Sequence, residues 1–149
     1  MPEKKTRERA TRAKRAGKSP GTQAGEYVRE EIRHIRQGKH GARSSKQAIA
    51  IGLSKARRAG VKLPRPKKGR TSAETREQAA RDSAKGRHPR RRVSAARSRA
   101  AHRALEREGR RAASRTSLAR QARSAARKRS PSERAEAAKK AARTRAHSK

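Results

Sequence analysis

The chain has no cysteine, tryptophan or phenylalanine, and one tyrosine, Tyr27. Without cysteine, disulfides and thiolate zinc sites are excluded. Without aromatic residues there is no platform on which single-stranded bases stack in the manner of an RNA-recognition sheet. Acid is scarce as well: 12 Asp and Glu face 47 Lys and Arg in 149 residues, a formal net charge of +35. Bulky apolar residues are few. Hydrophobic types make up 29 % of the chain, but 30 of them are Ala and only 13 are larger. Leu, Ile and Val number 11, far below the roughly 20 % under which a strongly charged chain is expected to be disordered. A single large core is excluded. No run approaches the ~18 apolar residues of a membrane span, and Met1 is followed by no apolar signal region.

What is present in excess points to a polyanion. A chain at +35 repels itself, and a phosphate polymer removes that repulsion while releasing its own counterions. Arg outnumbers Lys, 32 to 15. The planar guanidinium fork suits phosphate oxygens better than a compact ammonium does.

The scarce apolar residues are gathered in one place. Nine of the 13 lie between Tyr27 and Leu63, a stretch of charge +8, while residues 64–149 carry +22 and hold only three. The expected organisation is a basic disordered arm over 1–21, a helical hairpin module over 22–63, a Pro/Lys linker over 64–70 and an Arg/Ala-rich low-complexity tail over 71–149. In the module, Ala24, Val28, Ile32 and Ile35 share one helical face from about Thr22 to Gln37. A loop containing Gly38 and Gly41 follows. Ser44 and Gln47 form an S-x-x-Q box at the start of a second helix. Ile49, Leu53 and Ala56 lie on one side of it, with Ala48, Gly52 and Ala59 beside them. Gly52 marks a close helix crossing, and Gly60 is placed as the left-handed residue that ends the helix, with Val61 folding back towards Ala56. Nine apolar side chains are too few to order such a hairpin alone. It is expected to need a second copy, DNA, or part of the tail.

The stretch from Gly25 to Gly60, with SKQAIAIGLSKARRAG at 45–60, resembles a family of small, highly basic bacterial proteins of unknown function. The resemblance covers about 40 residues. It implies a bacterial, intracellular, DNA-associated protein, and it implies no catalytic residues; with the charge, the expected place is the cytoplasm, on the nucleoid.

Beyond the linker, helix signals return without a core. Thr71 and Glu74 make a T-x-x-E box. Arg99, Arg103, Arg107 and Arg110 form a basic stripe on a helix from about Val93 to Glu108, and Arg120, Arg123 and Arg127 repeat it between Thr116 and Arg129. Ser130-Pro131-Ser132-Glu133 is a strong helix start. Like charges at i,i+4 oppose such helices in the free chain. The tail is therefore read as conditionally helical or disordered.

Catalytic chemistry is not apparent. Gly17-Lys18-Ser19 resembles the end of a phosphate loop, but Arg12 stands where its first glycine belongs. Glu30 and Glu31 are adjacent and point apart on a helix. His34 and His40 are not at i,i+3 or i,i+4 and are read as solvated or phosphate-facing, with no metal or cofactor.

The sequence thus predicts a mainly α protein that binds duplex DNA without enzymatic activity, membrane contact or a small-molecule substrate. Its predicted contacts are Lys39, Arg43, Ser44, Lys46, Arg57 and Arg58 on the hairpin, with Ser44 and its helix N-terminus as a phosphate seat. Arg92, Arg99, Arg103, Arg107, Arg110, Arg120, Arg123 and Arg127 are the predicted contacts in the tail. The alternatives are RNA or ribosome binding, and a protein-interaction module that its tail only localises.

Overall fold

Serines start most of the helices. Ser19, Ser44, Ser72 and Ser130 each accept a hydrogen bond from the backbone N–H three residues on, which satisfies one of the donors a helix N-terminus leaves open. The result is a chain of helices, seen in a computed structural model that describes residues 2–88 and 94–146. They are α1 (Lys4–Arg15), α2 (Pro20–Arg36), α3 (Ser45–Arg58), α4 (Ala73–Arg87), α5 (Ala95–Glu106), α6 (Arg115–Arg127) and α7 (Pro131–Ala146), with a short 3₁₀ turn at Arg111–Ala113. The chain divides into two compact units, Met1–Ser114 and Arg115–Lys149.

The first unit is built on α2, which packs against α1 on one side and α3 on the other, while α3 also packs against α4. Tyr27, Ile32 and Ile35 of α2 are buried, and Ile35 is fully so. The face that α3 buries is its stripe of small residues, Ala48, Gly52 and Ala56. Ile49 and Leu53 stay half-buried. Gly52 explains why. A Cβ there would stand 2.6 Å from the Val28 Cα of α2, so the two backbones are in contact and only small side chains fit between them. A second cluster joins Ala10 of α1, Ala24, Tyr27 and Ala56, with Leu53, Ala59, Val61 and Leu63 packed on it.

The helix end at Gly60 is as the sequence predicts. Gly60 has φ +89°. Val61 N–H donates to Ala56 O at 3.1 Å and Gly60 N–H to Arg57 O at 3.0 Å, the paired bonds of a Schellman ending.

Several expectations change. The arm over 1–21 is not disordered: α1 buries Thr6 and Ala10 against the unit. The hairpin is completed by the same chain, through α1, through α4 with Ala79 and Asp82 buried, and through residues 105–113. That last segment clamps the α2–α3 loop. Gly41 N–H donates to Leu105 O at 2.8 Å and Ala42 N–H to Gly109 O at 3.1 Å. Arg36 Nε donates to Ala113 O at 2.9 Å, and Ser45 Oγ to Ala112 O. The described residues 64–88 and 94–114 therefore belong to the folded unit and are not a separate linker and tail.

The disordered-tail expectation is also not supported, since α5, α6 and α7 are helical. Ala and Arg are good helix formers, and a reciprocal cap starts α7: Ser130 Oγ accepts from Glu133 N–H and Glu133 Oε2 accepts from Ser130 N–H. None of these three helices has a buried residue. The cap of α4 is Ser72 and not Thr71. The expected helix start at Val93 lies outside the described residues, and α5 begins at Ala95.

Candidate nucleic-acid interface

The predicted contact residues separate into exposed and engaged groups. Arg43 and Lys46 are exposed at the start of α3. Lys39 is exposed and sits 3.4 Å from the Glu3 carboxylate. Arg58 is about half exposed, and its Nε donates to Asp82 at 2.7 Å. Arg57 departs from the prediction: it is buried, and its Nη2 donates to Pro64 O at 3.4 Å. Burial lowers its pKa, with Asp82 opposing. It supports the turn after α3 and is not a phosphate contact. The proposed seat at Ser44 is largely filled from within, because Ser44 Oγ accepts from Gln47 N–H and Gln47 Oε1 accepts from Arg43 N–H.

In α5 and the turn after it, Arg99, Arg103, Arg107 and Arg110 are all exposed. In the second unit, Arg120, Arg123 and Arg127 of α6 are exposed as well. Arg92 lies outside the described residues.

The carboxylates take the opposite course. Glu30, Glu31 and Asp82 are among the most completely buried side chains of the first unit. Asp82 accepts from Ser54 Oγ at 2.7 Å, Arg58 Nε at 2.7 Å and Gln78 Nε2 at 3.1 Å. Burial pushes its pKa up, but these bonds outweigh it and hold the carboxyl below its usual value. Glu3 is bonded by His34 Nε2 at 2.7 Å, by Arg33 and by Lys39. The His34 bond is the largest influence, and the group is lowered to about 2. Glu30, Glu31 and Asp82 are thus turned inward and Glu3 is paired, while Glu8, Glu74, Glu77 and Glu106 are exposed among outward-facing arginines.

A cluster of imidazoles and carboxylates lies between α2 and its loop, where the sequence reading placed solvated histidines. His40 is buried and His34 nearly so. Their rings meet edge to face with centroids 6.1 Å apart. Glu31, His34 and His40 bring one ligand-type atom each within 4.8 Å of the others, and Glu3, Glu30 and His34 do the same. One sequence signal was available: Tyr27, Glu31, His34 and Ile35 recur at helical spacing on the face that is buried. Glu3 and His40 come from distant segments, so no spacing links them.

A profile of a family of unknown function (DUF6496) matches residues 12–68, from the second half of α1 through α2 and α3. No curated protein and no solved structure matches the chain.

Proposed function

We propose that the protein is a non-enzymatic nucleic-acid-binding protein that acts on duplex DNA in the manner of a bacterial nucleoid-associated protein, by neutralising phosphates with little sequence preference. The observation that carries this reading is the sorting of charge in the first unit. Its most buried ionisable groups are carboxylates, while the arginines of α5 and the adjoining turn point to solvent without a core to pack against. Such a surface attracts a polyanion through counterion release. In the second unit, α6 offers a further arginine stripe. Among the described residues, no helix is long and apolar enough to cross a membrane.

The test is affinity of the full chain for duplex DNA across a salt series. Neutralising about eight phosphates gives a slope of log K against log salt near −7. A slope near zero overturns the electrostatic mechanism. Preference for structured RNA over DNA by more than about tenfold at matched salt transfers the function to RNA.

A further inference from the structure

We propose that Glu31, His34 and His40 form a binding site for one first-row divalent transition metal ion, with Zn²⁺ the simplest occupant. Two imidazoles and a carboxylate are the donor set such ions take, and hard oxygen-seeking cations such as Mg²⁺ do not.

The geometry of two lone pairs carries the proposal. His40 Nδ1 lies 3.1 Å from Gly41 O. A carbonyl only accepts, so Nδ1 is the donor in this contact, and a ring with that one proton presents a lone pair at Nε2. That Nε2 is 3.0 Å from Glu31 Oε1. Two lone pairs facing each other repel. Glu31 Oε1 is buried and forms no hydrogen bond, although His40 Nε2 stands within ion-pair distance of it. Ligand atoms about 2 Å from a metal lie roughly 3–4 Å apart, and the three donors here are already within 4.8 Å.

The surroundings fix the donors. Lys55 Nζ bonds Glu31 Oε2, which leaves Oε1 as the free oxygen. The Gly41 carbonyl orients His40. The Glu3 carboxylate engages His34 Nε2, so the proposal assigns Nδ1 as that ring's ligand atom, with Glu3 as an outer-shell carboxylate of the kind found around bound metals. The second group, Glu3, Glu30 and His34, is a poorer site because Glu3 is already engaged by Arg33 and Lys39. An ion at the first group would tie α2 to its loop, the same loop that residues 105–113 clamp.

The experiment titrates the chelator-treated full chain with Co²⁺ and Zn²⁺ in phosphate-free buffer. Expected are visible Co²⁺ absorption bands saturating at one ion per chain, displacement by Zn²⁺, and a higher melting temperature with Zn²⁺. His40→Gln should weaken binding at least tenfold, and His102→Gln, an exposed neighbour, should leave it unchanged. In the unmodified chain, imidazole NMR signals of His34 and His40 should shift with Zn²⁺, a readout that does not depend on any variant folding. Binding only at millimolar metal, shifts confined to other histidines, or a folded His40→Gln chain with unchanged affinity would overturn the site.

Discussion

The same substitution made at two glycines should have opposite signs. Gly25 and Gly52 both lie inside helices, α2 and α3. In each case alanine improves helix propensity by up to about 1 kcal/mol. At Gly25 an added Cβ meets nothing within 4 Å, so Gly25→Ala should realise that gain. At Gly52 the Cβ would stand 2.6 Å from Val28 Cα, 2.9 Å from Val28 Cγ2 and 3.0 Å from Val28 N. Ordinary contact begins near 3.4 Å, so the helices must part locally by about 0.8 Å. Two of the three crowding atoms are backbone, which no rotamer change relieves. Overpacking of this kind costs roughly 1–3 kcal/mol, and here it also loosens Ala48 and Ala56 on either side. The expected result is a net loss of about 1–2 kcal/mol for Gly52→Ala, after the propensity gain is set against it. The two variants should differ by about 2–3 kcal/mol. Urea unfolding followed by far-UV circular dichroism measures this as a shift in midpoint at constant slope. If Gly52→Ala is as stable as Gly25→Ala, the close crossing of α2 and α3 is wrong.

Asp82 gives a second prediction. Asp82→Ala deprives Ser54, Gln78 and Arg58 of their common acceptor at the α3–α4 contact and should destabilise the chain by about 2–3 kcal/mol in the same denaturation assay. A loss under about 0.5 kcal/mol would mean that α4 is held by other contacts. The third concerns acid. Glu3, lowered to about 2, and Asp82, also lowered, bind fewer protons folded than unfolded, so their contribution is complete above the usual carboxylate range. It is lost as pH falls from about 4.5 towards 2. Melting temperature followed by circular dichroism over that interval should drop, and a flat curve would contradict the ion pairing of both groups.

The parts of the fold legible in the sequence were those written in local chemistry. The Ser44 and Ser130 caps, the Gly60 ending and the close approach at Gly52 depend on residues a few places apart or on one missing side chain. The existence of helices in the Arg/Ala stretch was legible too, through the arginine stripes of α5 and α6 and the Ser130 cap of α7. Its involvement in the first unit was not, because alanine supplies no periodic bulk to mark a buried face. Ala112 and Ala113 are buried yet look like any other alanine of that stretch. The same limit hid α1, where the buried face is Thr6 and Ala10. At the candidate interface, Arg43 and Lys46 are exposed, as the rule that charge faces water would have them. The burial of Arg57 and His40 did not, since both are set by contacts with residues outside their own helix turn. Glu30 and Glu31 are buried although charged groups usually face water, and Glu31 lies at helical spacing between Tyr27 and Ile35 on the buried face of α2.

The clamp on the α2–α3 loop sets an order of events during synthesis. Gly41 and Ala42 emerge from the ribosome more than 60 residues before the Leu105 and Gly109 carbonyls that accept from them. At roughly 5–20 residues per second this is an interval of about 3–13 s. Throughout it the two loop amides lack the carbonyls that accept from them in the finished unit. The last bonds of the first unit close only after α5 is made, so the nascent chain meets cellular polyanions before that unit is complete.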